Sequence, residues 1–91
     1  MSRLNEQEIS NRLSRLAHWS RTGDEIRRTY VFADFVEAMG FVTKVAFLSE
    51  ARNHHPDIDI RWNKVTLVLS THSAGGLTEK DFDLAGSIDA P

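Results

Sequence analysis

Ninety-one residues with a net charge of −2 and no cysteine make one small domain, residues 1–91, and exclude disulfides, thiolate nucleophiles and thiolate metal sites. The charge supplies no broad basic field for nucleic acid, and no run approaches the ~20 apolar residues of a membrane span, so a cytoplasmic location is the expectation. A chain this short buries only a little over ~60% of the surface it exposes when unfolded, which makes a subunit interface a natural source of extra buried apolar area.

Asn5-Glu6-Gln7-Glu8 has the spacing of a capping box, and Leu4, Ile9, Leu13 and Leu16 recur at helical intervals. A first helix is predicted over 6–17. The period then changes. Thr22-Gly23-Asp24 is a turn signal between a short strand at 19–21 and a longer one in which Ile26, Arg28, Tyr30 and Phe32 share a face.

Asp34-Phe35-Val36-Glu37 opens the longest helical pattern, which runs to about Asn53. Its apolar stripe reads as Phe35, Val36, Met39, Val42, Ala46 and Ser49, widened by Phe41 and Val45. Gly40 inside it costs ~1 kcal/mol relative to alanine, and close approach of another backbone would explain it. Pro56 stops the helix and favours an extended His55.

Ile58, Ile60 and Trp62 alternate with Asp57, Asp59 and Arg61, the period-two pattern of a half-buried strand. A turn at Asn63-Lys64 returns the chain through Val65, Leu67 and Leu69. After the Ser73–Gly76 loop, Thr78-Glu79-Lys80-Asp81 starts a last helix whose buried stripe is Phe82, Leu84, Ala85 and Ile88. The order is α-β-β-α-β-β-α. Its simplest packing is an α+β fold with a four-stranded antiparallel sheet and the helices on one face.

Three of the four histidines, His54, His55 and His72, fall into one short window. Imidazole moves protons near neutral pH more readily than any other side chain, so convergence of these rings points to acid–base chemistry or to a metal. Three imidazoles are enough protein ligands for a catalytic zinc. However, no pair sits four apart on a helix, and adjacent histidines rarely chelate one ion, which favours proton transfer. A histidine in the last helical turn also complements the helix dipole, so a purely structural role is the competing account. Glu50, one turn before His54, is placed to accept a bond from an imidazole. Asp57 and Asp59 read as a solvated strand face, Asp81 as a capping-box acid, Trp62 as core, and Arg27 and Arg28 as sheet-surface charges.

Taken together, Glu50, three residues to His54-His55-Pro56, five to Trp62, nine to His72 and eight to Asp81 resemble the signature of the pterin-4a-carbinolamine dehydratases. Gly40 to Ala46 is similar to that family's middle helix, Asn63-Lys64-Val65 to its hairpin turn, and Ser70-Thr71-His72 to the end of its last strand. The resemblance spans most of the chain from Trp19 onward. It implies the same α+β architecture and loss of water from a 4a-hydroxytetrahydropterin, giving the quinonoid dihydropterin that aromatic amino-acid hydroxylases need recycled.

Under the resemblance, His54, His55 and His72 are the acid–base residues and Glu50 is a supporting carboxylate. Asn53, Pro56, Trp62, Thr71 and Asp81 line or support the substrate site. Asn53 departs from the pattern, standing where animal members would carry an acid. No metal or organic cofactor is implied, since the pterin is the substrate. The expected partners are that pterin and further copies of the chain, as dimer or tetramer. The competing readings are an interaction module without catalysis, as animal members also bind a transcription factor's dimerisation helices, and an enzyme acting on a molybdenum-cofactor-related pterin.

Overall fold

The computed structural model describes residues 2–91. Helix α1 spans Glu6–Leu13 and α2 spans Phe35–Arg52, while α3 spans Glu79–Asp89. The strands are β1, Ser20–Thr22, β2, Glu25–Val31, β3, Asp57–Arg61, and β4, Lys64–Leu69. They form one antiparallel sheet in the order β1-β2-β4-β3, so the two hairpins join through β2 and β4. The α-β-β-α-β-β-α order read from the sequence holds.

Alternation sets the faces. Val65, Leu67 and Leu69 of β4 are fully buried with Ile26 of β2, and they meet Val45 of α2 and Leu84, Ala85 and Ile88 of α3. Tyr30, Phe32 and Phe41 extend this core as an aromatic cluster, with Tyr30 and Phe41 centroids 4.4 Å apart. Caps fix the helix starts. Asn5 and Glu8 exchange the reciprocal bonds of a capping box, as do Thr78 and Asp81, each cap being worth about 1 kcal/mol. At α2 the Asp34 side chain accepts from Glu37 N–H, but Glu37 reaches back to Ala33 N–H instead of the cap residue.

Several expectations change. Helix α1 stops at Leu13, four residues short of Ala17, because the Ser14 hydroxyl bonds Asn11 O at 2.7 Å and competes with the helical ladder. Helix α2 is apolar almost all round, and the packed stripe is Ala38, Phe41, Val42, Val45, Leu48 and Ser49. Phe35, Val36, Met39 and Ala46 therefore point outward. Gly40 shares that outward side, and a Cβ there would meet nothing within 4 Å, so no backbone among the described residues approaches it.

The last hairpin turns at Trp62-Asn63, one residue earlier than read, since Arg61 already pairs with Lys64. Asn63 is clasped to Phe32 by two hydrogen bonds, at 2.8 and 2.9 Å. Trp62 consequently takes a positive φ of 52° and is 67% exposed, not core. Arg28 is no surface charge. It lies half-buried on the helix-covered side of the sheet, where Asp89 accepts from its Nη1 at 3.0 Å. The same carboxylate accepts from Trp19 Nε1 at 2.7 Å and from the Tyr30 hydroxyl at 2.5 Å.

Candidate active site

Asn53 explains how the two adjacent histidines are presented. It ends α2 in the left-handed region, φ 49° and ψ 44°, which asparagine tolerates better than most residues. Its N–H donates to Glu50 O, and His54 N–H donates to Ser49 O. This closes the helix as a Schellman motif and swings His54 and His55 off the helical spiral. Pro56 then leads into β3.

The reversal separates the two rings. His54 turns inward, its side chain only 10% exposed, and its Nε2 lies 2.6 Å from Oδ1 of the fully buried Asp81. His55 turns outward, and its Nε2 lies 2.8 Å from Glu50 Oε1, with both side chains more than half exposed. Glu50 was expected to serve His54. It serves His55 because i,i+4 spacing fails once Asn53 breaks the helix.

Asp81 sits in the first turn of α3, where the helix dipole favours a carboxylate. Its Oδ2 accepts from Thr78 N–H at 2.9 Å and from the Thr71 hydroxyl at 2.8 Å. The Thr71 and Thr78 hydroxyls are 2.9 Å apart. With His54 on Oδ1, both oxygens of this buried carboxyl group have hydrogen-bond partners. Asp81 is thus both the capping-box acid read from the sequence and the partner of His54. Thr71, expected near the substrate, is 6% exposed and spends its hydroxyl on Asp81. Thr78 was read only as a helix start. The Thr-x-x-Asp capping box was the available signal, since it puts Thr78 beside Asp81.

His72 opens a single 3-10 turn, His72–Ala74, beyond the end of β4, not the strand end expected. Its side chain is exposed and borders an open hollow of about 460 Å³ with Thr22, Asp24, Glu25, Ser70, Gly75 and Gly76. That volume lies in the range of small-molecule sites, ~300–1,000 Å³. The hollow is anchored from several sides: Ser70 Oγ donates to Asp24 O at 2.7 Å, and Arg3 Nη1 donates to Gly75 O at 3.1 Å. Arg3 lies so close over Gly76 that a Cβ there would fall 2.5 Å from its Cδ.

Glu50, Asn53, His54, His55 and Pro56 therefore share the end of α2, and Asp81 and Thr71 bind them to the start of α3 and the end of β4. His72 adjoins this group through Thr71 but lines its own hollow. Trp62 stands apart at the far end of β3, a five-residue strand that spans roughly 17 Å. Among the described residues, no three His, Asp or Glu side chains gather as metal ligands. No helix among the described residues is long and apolar enough to cross a membrane.

Comparison with known proteins agrees with this architecture. A protein from Roseiflexus castenholzii named "Putative pterin-4-alpha-carbinolamine dehydratase" is 63% identical over 86 residues, 94% of this chain and 92% of its own. One of the same name from Acidobacterium capsulatum is 57% identical, covering 99% and 98%. The crystal structure of a transcriptional coactivator/pterin dehydratase from Brucella melitensis superposes with a TM-score of 0.93 at 34% identity, over 97% of this chain and 96% of that one. A pterin dehydratase-like RuBisCO assembly factor of the alpha-carboxysome, at TM-score 0.63 and 21% identity over 78% of this chain and 82% of its own, shares the fold. The family profile described as pterin 4 alpha carbinolamine dehydratase matches residues 2–91, and the chain is a member of that family.

Proposed function

We propose that this protein removes water from a pterin-4a-carbinolamine by histidine acid–base catalysis. The observation that carries the reading is the buried His54–Asp81 pair, an orienting carboxylate behind an imidazole beside the turn that bears His72. An imidazolium protonates the departing hydroxyl, which leaves as water. The ring nitrogen's lone pair forms the new C=N bond, and a base takes that nitrogen's proton. Such catalysis is worth about 10²–10⁴-fold. We assign proton transfer chiefly to His54 and His72, with the exposed His55 and its Glu50 holding substrate and sharing the work. Proton transfers alone complete the step, so the reading assigns no metal and no cofactor.

Recycling of the tetrahydropterin cofactor of aromatic amino-acid hydroxylases is the role this activity serves, in the cytoplasm. The test is the dehydration rate of freshly generated 4a-hydroxytetrahydropterin, with wild type beside folded His72→Ala. Strong acceleration lost in the variant supports the reading. A folded wild type that accelerates nothing sinks it, and the same assay on a molybdenum-cofactor-related pterin then separates the neighbouring enzyme reading from a non-catalytic one.

The active form contains more than one copy. Val36, Gly40, Thr43 and Phe47, spaced i, i+4, i+7 and i+11, make an exposed stripe on α2, with Val36 79% and Phe47 74% exposed. Ile58 and Ile60 lie on the helix-covered side of β3, paired with Leu67 and Val65, yet the helices leave them over a third exposed. A second copy covers such a face. Phe47→Glu is expected to shift wild-type oligomer to monomer in sedimentation, and a wild type that sediments as monomer would refute this assignment.

A further inference from the structure

Thr71 is tied on both sides, and its hydrogen-bond arithmetic has one solution. A carboxylate only accepts, so the single hydroxyl proton of Thr71 goes to Asp81 Oδ2, 2.8 Å away. The 2.9 Å contact between the threonine hydroxyls is then donated by Thr78. Thr78 Oγ1 in turn accepts from Lys80 N–H at 3.2 Å. With Thr78 N–H also on Oδ2, Asp81 has Oδ1 left for His54 Nε2 at 2.6 Å. Thr78 and Asp81 are fully buried and Thr71 nearly so, so water does not offer an alternative arrangement. Nε2 of His54 must carry the hydrogen, and Nδ1 is the nitrogen left for chemistry.

The main chain of Thr71 does a second job. Its N–H donates to Gly76 O at 3.1 Å, and its carbonyl accepts from Ala74 N–H at 3.0 Å and from Gly76 N–H at 3.3 Å. These bonds close the turn that begins at His72. One residue thus contacts the machinery of both histidines, through its hydroxyl on one side and its peptide groups on the other.

We propose that Thr71 is a positioning residue: its hydroxyl holds Asp81 so that His54 presents Nδ1 to the substrate, while its backbone sets the turn carrying His72. The proposal rests on the dehydratase reading for its effect on rate. Its effect on the His54 ring does not depend on any substrate.

The test compares wild type, Thr71→Val and Thr71→Ser, each checked for folding, by nitrogen NMR of the histidine rings at about pH 8, where an ordinary imidazole is neutral. Wild-type His54 is expected to carry hydrogen on Nε2 and a bare Nδ1. Thr71→Val is expected to show both tautomers and about tenfold faster Nε2–H exchange. Its kcat should fall about tenfold with KM little changed, the loss of one hydrogen bond to a charged group, and Thr71→Ser should restore both. Hydrogen on Nδ1 in the wild type overturns the proposal, and this decides even if Thr71→Val fails to fold. A folded Thr71→Val in which neither readout moves, or only one does, overturns it too. A wild type without dehydratase activity refutes the functional reading instead, and the ring signals still decide the tautomer.

Discussion

Helix α3 carries an aspartate at each end, and the two do different work. Asp81 lies in the first turn, where the helix dipole supports a negative charge, and its donors are two neighbours in the fold plus an imidazole. Asp89 is the last residue of the helix, where the dipole opposes it. It is held there by Arg28, Trp19 and Tyr30, from strands and loop 59–70 residues away in sequence. Lys44 Nζ adds a cation by bonding Ile88 O at 3.2 Å. Both oxygens of Asp81 have hydrogen-bond partners, whereas Arg28 Nε beside Asp89 is buried with no partner among the described residues. One carboxylate uses the helix to aim a titratable ring. The other uses charge to pin the helix end to the sheet.

Asparagine at each position breaks the comparison open. Asp81→Asn keeps the shape but offers an N–H where His54 meets an acceptor, so the ring must move its hydrogen to Nδ1. We expect kcat to fall about 100-fold or more in a protein that still folds, read from the dehydration rate and near-UV dichroism. Asp89→Asn should show the opposite profile. Loss of the charged acceptor for three donors should cost about 2–3 kcal/mol, measured by urea unfolding. The remaining folded protein should turn over within about twofold of wild type at 25 °C. Equal effects of the two substitutions on kcat would erase the division of labour.

A milder version of the contrast separates His55 from His54. The Glu50–His55 pair is exposed on both sides, and such pairs are worth no more than about 1 kcal/mol. Glu50→Gln should therefore lower kcat/KM by at most about fivefold. A loss matching that of Asp81→Asn would make the exposed pair the principal one.

What the sequence made legible follows from range. The capping boxes at Asn5 and Thr78, the Gly23 turn, the alternation in β4 and the stripe of α3 are local, and the structure keeps them. The histidine window is local too, and so is the expectation that His54 would have a carboxylate partner. Which carboxylate was not legible, because helical spacing pointed to Glu50 and the left-handed Asn53 cancels that spacing. The Asp89 network was hidden for a different reason. Arg28 alternates with apolar residues on β2, but the acid that makes a buried arginine tolerable lies 61 residues on. Helix α2 misled through excess, since it has two apolar faces and periodicity alone cannot say which one meets its own sheet.

The smallest expected effect tests the Asp89 end by pH. Burial, then the hydrogen bond to Asp89, push the Tyr30 hydroxyl well up from its usual pKa near 10. Above about pH 10 the unfolded chain releases the tyrosine proton while the folded chain keeps it. The unfolded state then binds fewer protons, so stability falls as pH rises, and below that range the residue contributes no pH dependence. Tyr30→Phe removes this term together with the bond to Asp89. The variant should be less stable than wild type at pH about 8, and the gap should narrow as urea midpoints are followed towards pH about 11. A gap that stays constant would mean that Tyr30 gives up its proton as readily folded as unfolded. Asp89 would then be held chiefly by Arg28 and Trp19, and the pinning of the α3 end would rest on one ion pair, one indole and the Lys44 bond to Ile88 O.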